Sequence, residues 1–222
     1  MKLKVNEIFE TIQGEGVFTG VPAVFIRLQG CPVGCAWCDT KQTWEVHNDQ
    51  QIPFIDITNK RVESDTWGEV SVQDLILFYQ KHYSAKHIVI TGGEPCIYDL
   101  QSLTQTFEAI GCQCQIETSG TFPVKASKNT WVTVSPKIAM KGKLKLDASA
   151  LARANEIKHP VGSEKDIDNL YSLLEVHEIS SQTIIALQPI SQKPRATALC
   201  IEQCIKNNWR LSIQTHKYLN IA

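Results

Sequence analysis

Three cysteines stand within eight residues in the first fifth of the sequence. Cys31, Cys35 and Cys38 are spaced C-x3-C-x2-C in the stretch "GCPVGCAWCDT". They follow a short apolar stretch, residues 23–29, and the proline and glycines around them let the backbone turn so that three thiolates converge. A tetrahedral metal site or a cubane cluster needs four ligands. The spacing therefore predicts a metal centre with one ligand from outside the motif.

Two alternatives to a cluster stay open for these cysteines. One is structural zinc with a distant fourth ligand, and the other is ordinary loop thiols. Zinc fingers usually pair C-x2-C with a second close pair of ligands, and no such pair follows at that distance. A cubane held by three cysteines instead leaves one iron free to bind a cofactor. The other five cysteines are expected to be structural: Cys96, Cys112, Cys114, Cys200 and Cys204.

The overall composition argues against several classes of function. The 222-residue chain has a formal net charge of -1. Because it has no long basic run, we predict no nucleic-acid partner, no membrane partner and a small substrate. No apolar run approaches the roughly 18 residues of a membrane span, and the N-terminal segment lacks the apolar region of a signal peptide. We therefore expect a cytoplasmic protein, in which clustered cysteines are better explained as metal ligands than as disulfides.

Short apolar stretches alternate with segments of helical periodicity. The predicted strands are residues 23–29, 87–91, 114–118, 131–135, 156–159, 184–188 and 210–214. The predicted helices are residues 71–83, 99–111, 164–177 and 196–208. This alternation favours an α/β fold with a parallel sheet curled into a full or partial barrel. Catalytic residues are then expected at the carboxyl ends of the strands.

Residues 45–70 interrupt the alternation. The segment is polar, weakly periodic and much longer than the roughly 2 to 6 residues usual in such connections. We interpret it as a loop inserted after the cysteine motif into a single domain spanning residues 1–222. Its length and Trp67, which we expect to be exposed, suggest a lid over a pocket or a surface for a protein partner. A tolerated surface loop is the remaining alternative.

Polar turns end several of the predicted strands. The turn "TGGEP", residues 91–95, follows the strand at 87–91. Its glycines allow close approach of the backbone, and Glu94 can accept hydrogen bonds from a cationic amino group. The turns "ETSG", "SPK" and "LQP" end three later strands. We expect these polar groups to surround a ligand at one edge of the sheet.

The cysteine spacing, with Trp37 before the last cysteine and a GGE motif after the next strand, resembles the radical S-adenosylmethionine superfamily. The resemblance implies a partial, compressed (βα)6-type barrel. It also implies a 4Fe-4S cluster whose open iron is chelated by the amino and carboxylate groups of S-adenosylmethionine. The implied binding residues for this cofactor are Trp37, Cys38, Asp39, Gly93, Glu94, Ser119, Ser135, Pro136, Lys137 and Gln188.

Longer stretches resemble one family within this superfamily, the 7-carboxy-7-deazaguanine synthases. They include "TIQGEGVFTGVPAVFIRLQGCPVGCAWCDT", "VITGGEPC", "QIETSGT", "NEIKHPVG", "IALQPISQK" and "WRLSIQTHKYLNIA", and the similarity covers nearly the whole chain. That family converts 6-carboxy-5,6,7,8-tetrahydropterin to 7-carboxy-7-deazaguanine plus ammonia by radical ring contraction in queuosine biosynthesis. The resemblance implies a lyase that is usually a homodimer and that receives its electron from a flavodoxin-like donor.

The same resemblance implies where the pterin and a magnesium ion bind. The implied substrate residues are Ile12, Gln13, Gly14, Glu15, Arg27, Thr91, Gly92, His216 and Ala222, and Thr40 is the implied Mg²⁺ ligand. A flat heterocycle with a carboxylate needs amide partners and an anion clamp, which Gln13 and Arg27 can supply. The C-terminal "QTHKYLNIA", which lacks a helical pattern, would close the pocket.

Two rival functions stay open from the sequence. A glycyl-radical activase would share the cysteine triad but act on a protein, and a non-catalytic iron–sulfur or zinc-binding module would use the cysteines only for structure. The stretch "QGEG", residues 13–16, together with Arg27 and Thr40 favours a small anionic heterocycle over a protein substrate.

Overall fold

The protein is built around a mixed, open β-sheet with helices packed against it. The computed structural model describes residues 2–60 and 62–221, and in this part of the chain nine strands have the order β3-β1-β2-β4-β5-β6-β7-β8-β9. The strands are β1 (Lys2–Ile12), β2 (Pro22–Leu28), β3 (Gly68–Ser71), β4 (His87–Gly92), β5 (Gln113–Thr118), β6 (Trp131–Val134), β7 (Glu156–Val161), β8 (Ile184–Pro189) and β9 (Arg210–Leu211).

The helices occur mainly in the connections between parallel strands. They are α1 (Phe54–Thr58), α2 (Val72–His82), α3 (Gln101–Ala109), α4 (Ala148–Ala152), α5 (Glu164–Val176), α6 (Pro194–Asn207) and α7 (Thr215–Leu219). Short 3-10 turns occupy Gly16–Phe18, Lys41–Thr43, Asn48–Gln50, Pro95–Ile97 and Ile190–Gln192. Among the described residues, no helix has both the length and the apolar character needed to cross a bilayer.

The parallel part of the sheet confirms the predicted α/β class. From β2 and β4 onward to β9, each strand pairs in parallel with the next. All seven predicted strands are present, although the last is only two residues long. The four predicted helices are also present as α2, α3, α5 and α6. Within the described residues β3 and β9 form two separate edges, so the sheet does not close on itself.

The first strand was not predicted, and a bulge explains why. β1 is antiparallel to β2, and the pairing register shifts between Val5 and Glu7. Leu3 and Val5 are buried at alternate positions, but Asn6 beside the bulge is also buried. A bulge adds an unpaired residue to one strand and breaks the alternation of buried and exposed positions. The N-terminal sequence therefore lacks a clear strand pattern.

The prediction that residues 45–70 form a loop with an exposed tryptophan is wrong. The segment contains α1, and it leads into β3, which pairs with β1. Trp67 is only 1% exposed, and its Nε1–H donates to the carbonyl oxygen of His47 at 3.0 Å. Ile57 is also only 1% exposed. Apolar and polar residues show little periodicity in this segment, because its short elements bury isolated residues rather than one continuous face.

Two apolar cores lie on the helical side of the sheet. The first is formed by β1, β2, β4 and β5 with α2 and α3, and the second by β6, β7 and β8 with α5 and α6. As predicted, the five cysteines outside the motif belong to these cores: Cys96, Cys112 and Cys114 to the first, and Cys200 and Cys204 to the second. The opposite face of the sheet carries the polar residues of the site.

The C-terminal segment corrects a second expectation, because it contains the short helix α7. Five residues are too few for a helix to be stable alone. α7 is held by tertiary hydrogen bonds: the backbone N–H of Thr215 and its side-chain hydroxyl both donate to the carbonyl oxygen of Gly14, each at 2.9 Å. Such a helix has no pattern that a single sequence would show.

Candidate active site

A cavity of about 740 Å³ opens at the carboxyl ends of the parallel strands. It is lined by most of the residues proposed from the sequence: Ile12, Gln13, Gly14, Glu15, Arg27, Cys31, Cys35, Trp37, Cys38, Asp39, Thr40, Thr91, Gly92, Gly93, Glu94, Ser119, Ser135, Lys137, Gln188 and His216. Pro136 is buried and does not line the cavity, and Ala222 lies outside the described residues. Residues from almost the full length of the chain therefore meet at one place.

The cysteine loop follows β2 and is tied to Trp44, the residue just before the 45–70 segment. The backbone N–H of Cys31 donates to the carbonyl oxygen of Trp44 at 2.9 Å, and the indole N–H of Trp44 donates to Cys38 Sγ at 3.3 Å. Cys35 is the most buried of the three thiols, at 8% exposed. All three sulfur-bearing residues line the same cavity. The N–H donors to sulfur are groups of the kind that tune an iron–sulfur cluster.

Two glycines allow other loops to approach the backbone of the cysteine loop. A Cβ added to Gly93 would lie 2.2 Å from the carbonyl oxygen of Gly30, and one added to Gly142 would lie 2.0 Å from that of Pro32. The Gly142 N–H donates to the carbonyl oxygen of Val33 at 2.9 Å. The cysteine loop is therefore held between the turn after β4 and the loop after β6.

The three thiols suit a cluster better than a single ion. Among the described residues, no three His, Cys, Asp or Glu side chains lie close enough together to share one metal ion. A cubane binds each cysteine through a different iron, so its ligands need not converge as closely. Burial raises the pKa of Cys31 to about 11 and also raises the pKa of Cys35. Iron binding must therefore displace protons from these thiols.

Glu94 of the GGE motif is buried and fully engaged by the protein. Its Oε1 accepts from the backbone N–H of Cys96 at 2.9 Å and from the hydroxyl of Thr118 at 2.6 Å. Its Oε2 accepts from the backbone N–H of Ser119 at 2.8 Å and from the Ser119 hydroxyl. Glu94 thus joins the ends of β4 and β5 in addition to lining the cavity.

The turns after β6 and β8 supply further polar groups. Lys137 donates to the hydroxyl of Ser135, and burial lowers the pKa of Lys137. Gln188 at the end of β8 accepts from the hydroxyl of Ser212 at 3.0 Å. A cation and amide at this wall can pair with a carboxylate and hydroxyl groups of a ligand.

The loop after β1 crosses the polar face of the sheet. Gln13 Nε2 donates to Gln115 Oε1 at 3.3 Å and to Glu117 Oε1 at 3.1 Å. Further along, Glu15 pairs with Lys158 on β7 at 2.6 Å. These contacts join the loop to both β5 and β7, so the sheet must curve around the cavity.

Lys158 and Glu117 are functional candidates that sequence reasoning missed. Lys158 lies 3.2 Å from Glu117 and 2.6 Å from Glu15, and all three line the cavity. Burial alone would raise the pKa of Glu15, but the Lys158 ammonium lowers it to about 2. The signal was present in the sequence: polar or charged residues occupy alternate positions in both strands, Gln113, Gln115 and Glu117 in β5 and Glu156 and Lys158 in β7. A charge inside a buried strand needs a partner.

Arg27 and His216 both line the cavity. The Arg27 guanidinium pairs with Glu7 through Nε at 2.9 Å and lies 6.0 Å from the centre of the Phe9 ring. Phe9 stacks on Phe25, and both rings line the cavity beside the guanidinium. His216 on α7 packs against Gly14, where an added Cβ would lie 2.4 Å from His216 Nδ1.

Thr40 lies directly after the cysteine motif on the cavity wall. Its hydroxyl is 3.6 Å from Cys38 Sγ, and its backbone N–H donates to the same sulfur at 3.4 Å. Asp39 lines the cavity beside it. A hydroxyl next to a carboxylate forms a small group of hard oxygen donors.

Comparison with known proteins gives the same assignment for the whole chain. A family model described as a 4Fe-4S single cluster domain matches residues 12–143. The 7-carboxy-7-deazaguanine synthase of Escherichia coli (strain K12) is 59% identical over 223 residues, with 100% of both chains covered. The protein of that name from Buchnera aphidicola subsp. Schizaphis graminum is 51% identical, again with 100% of both chains covered. This chain belongs to the 7-carboxy-7-deazaguanine synthase family.

The fold supports the family assignment independently. A solved structure, titled "Crystal structure of QueE from Escherichia coli", superposes with a TM-score of 0.94 at 58% identity, covering 96% of this chain and 94% of that one. The more distant 7-carboxy-7-deazaguanine synthase of Synechocystis sp. is 36% identical over 98% of this chain and 92% of its own length. The resemblance seen in the sequence is confirmed, and the cluster-domain match includes all three motif cysteines.

Proposed function

We propose that this protein is a radical S-adenosylmethionine lyase that converts 6-carboxy-5,6,7,8-tetrahydropterin to 7-carboxy-7-deazaguanine and ammonia. The observation that carries the proposal is the cavity, which joins the cysteine motif to Glu94 and to the polar wall at Glu15 and Arg27. Two relatives that match this chain over their full length are named for this activity.

Cys31, Cys35 and Cys38 would hold a 4Fe-4S cluster, with S-adenosylmethionine as the remaining ligand. When bound, this pair supplies one-electron cleavage and a carbon-centred radical. The chain's own residues orient and shield it. Glu94, whose acceptor sites are filled by protein donors, would fix Ser119 at the cavity wall beside the amino group, and Lys137 offers a cation for a carboxylate. Cys35 and Glu94 are themselves buried, which limits the access of water to these two groups.

The pterin would occupy the part of the cavity between Gln13, Glu15 and Arg27. Carboxylate and amide oxygens can accept from its ring and amino N–H groups, and the Arg27 guanidinium can pair with its carboxylate. His216 and Gly14 would close this side. Thr91 and Gly92, at the end of β4, would bring backbone close to the ring.

Thr40 would hold Mg²⁺ together with the substrate carboxylate. Mg²⁺ commonly takes few protein ligands and completes its octahedron with water and substrate oxygens. The adjacent hydroxyl and carboxylate of Thr40 and Asp39 suit such a site. The ion would orient the substrate and polarise its groups.

The sheet and its surroundings suggest further properties. We infer a partial (βα)6-type barrel, because the loop after β1 spans from β5 to β7 across one face. We also propose a homodimer and a flavodoxin-like electron donor, by analogy with the family. The eight cysteines are free thiols, which suits the reducing cytoplasm.

For residues 45–70 we favour a role in shaping the cavity over a partner surface, because Trp67 is buried and Glu63 lines the cavity.

An anaerobic assay tests the proposed activity. Reconstituted protein is incubated with the tetrahydropterin, S-adenosylmethionine, a reductant and Mg²⁺, and deazaguanine and ammonia are measured. We expect one ammonia per deazaguanine, from protein holding about four iron and four sulfide per chain. Activity only on a protein glycine would instead indicate an activase, and one zinc without iron would indicate a non-catalytic module.

A further inference from the structure

Lys158 lies at the centre of a buried cluster of charges. Its ammonium donates to Glu15 Oε2 at 2.6 Å and to Glu117 Oε2 at 3.2 Å. The two glutamates are 143 and 41 residues away in sequence. A buried charge is tolerated only when it is paired and hydrogen-bonded, and here one cation serves two carboxylates. The cluster thus fixes three separate segments against one another.

We propose that Lys158 is a positioning residue for the pterin, which holds Glu15 and Glu117 in place and anionic so that they accept hydrogen bonds from adjacent N–H groups of the ligand. The inference rests on the proposed function, because it assumes a ligand whose edge carries neighbouring N–H donors, as the aminopyrimidinone edge of a pterin does. An ionised carboxylate only accepts hydrogen bonds, so this wall is complementary to such an edge.

The exposure of the three side chains places the lysine behind the carboxylates. The Lys158 side chain is 5% exposed, whereas those of Glu15 and Glu117 are 16% and 20% exposed. A ligand in the cavity therefore reaches the carboxylates more readily than the ammonium. Lys158 acts through them, which makes it a positioning residue and not a catalytic one.

The hydrogen bonds that Glu15 and Glu117 accept from the protein do not use all of their acceptor sites. Glu15 Oε1 accepts from Gln214 at 2.8 Å, and Glu117 Oε1 accepts from Gln13 at 3.1 Å and from Gln115 at 3.4 Å. A carboxylate offers about four acceptor sites. The remaining sites can accept from a ligand without breaking the contacts to Lys158.

Other ionisable groups surround the cluster without replacing the lysine. Glu156 stands two residues earlier on β7, and burial raises its pKa. Lys137 after β6 and His216 on α7 also act electrostatically on this region. Burial alone favours a neutral Lys158, but Glu117 and Glu15 raise its pKa above the ordinary value. Without this ammonium, two buried carboxylates face each other, and one of them takes up a proton more readily.

The test measures binding of 6-carboxypterin, a fluorescent oxidised analogue, to cluster-loaded protein without turnover. Wild type and Lys158→Met are compared from pH 7.5 to pH 5.5. We use the ratio of the variant's Kd to the wild-type Kd, because any protonation of the ligand itself changes both Kd values equally and cancels in the ratio. We expect this ratio to rise to about tenfold at pH 5.5, where protonation removes a charged acceptor, and to fall as the pH rises.

The controls separate charge from folding. Lys158→Arg keeps the positive charge, so the ratio of its Kd to the wild-type Kd should not change with pH. Lys60→Met is the second control, because it removes a half-buried lysine whose hydrogen-bond partners are neutral oxygens of Asn6, Ser64 and Thr66. If Lys158→Met does not fold, Lys158→Gln replaces it. A ratio within about twofold of one throughout would overturn this inference alone. Failure of the wild type to bind the pterin would overturn the proposed function as well.

Discussion

At the scale of single residues, the cysteine motif depends on residues outside it. The sequence identified the three thiols by their spacing, but it did not indicate what holds their loop. Gly142 supports the loop from one side, where its N–H donates to Val33 and a side chain would collide with Pro32. Nothing in the stretch "KGK" distinguishes this glycine from one in an ordinary turn, because the constraint comes from a loop more than a hundred residues away.

Gly142→Ala should weaken retention of the cluster. The added methyl group must push the cysteine loop away from the loop after β6, which disturbs the positions of the sulfurs. We expect iron to be lost to a chelator several-fold faster than from the wild type, since misplacement of ligands weakens a metal site. Iron content and visible absorbance over time measure this.

Gly162→Ala is the matched control for this substitution. An added Cβ there meets only ordinary contacts, 3.5 Å from Ile190 and 3.6 Å from Asp166. The control should keep its cluster as the wild type does. Equal iron loss from the two variants would show that Gly142 does not position the cysteine loop.

At the scale of elements, the parallel strands and the helices α2, α3, α5 and α6 could be predicted, whereas β1, β3, α1, α4 and α7 could not. Most of the predicted strands are short, largely apolar stretches with several buried residues, although β9 is exposed, and this pattern is local. By contrast, β1 has a bulge at Asn6 whose amide is satisfied by Gln29, Ser64 and Thr66. Its strand pairing and burial are set by residues far away in the sequence.

The strand β7 provides a prediction about pH and stability. His159 on this strand is 3% exposed, and its Nε2–H donates to the carbonyl oxygen of Asp166 at 2.8 Å. Burial lowers its pKa from the ordinary 6.5 to about 4. Above pH 6.5 both the folded and unfolded states hold it neutral. Between pH 6.5 and 4 the unfolded state binds a proton that the folded state does not, so the free energy of unfolding should fall by up to about 3 kcal/mol.

Denaturant unfolding of the apo protein at several pH values measures this fall. His159→Gln cannot titrate and should show a smaller decrease over the same range, even if it is less stable at pH 7. His82→Gln, at an exposed position on α2, should behave as the wild type does. Identical slopes for wild type and His159→Gln between pH 6.5 and 4 would rule out His159 as the cause of the fall.

At the scale of the whole molecule, the cavity brings together segments that are separate in sequence. The alternation of strands and helices along the sequence was enough to assign several loops to one edge of the sheet: the cysteine loop, the GGE turn and the turns after β5, β6 and β8. The pairing of Glu15 with Lys158 and the docking of α7 could not, because they require the curvature of the sheet. Family resemblance supplied part of what the local patterns lacked.

The most direct test of the proposed chemistry compares product formation by the wild type, Cys35→Ala and Cys200→Ala. Cys200 is buried in the second core and lies outside the motif, so its variant controls for the loss of a buried thiol. Under anaerobic conditions with the tetrahydropterin, S-adenosylmethionine and reductant, we predict 7-carboxy-7-deazaguanine from the wild type and Cys200→Ala, and none above background from folded Cys35→Ala. Deazaguanine formation by Cys35→Ala at the wild-type rate would contradict a radical mechanism that starts at this cluster.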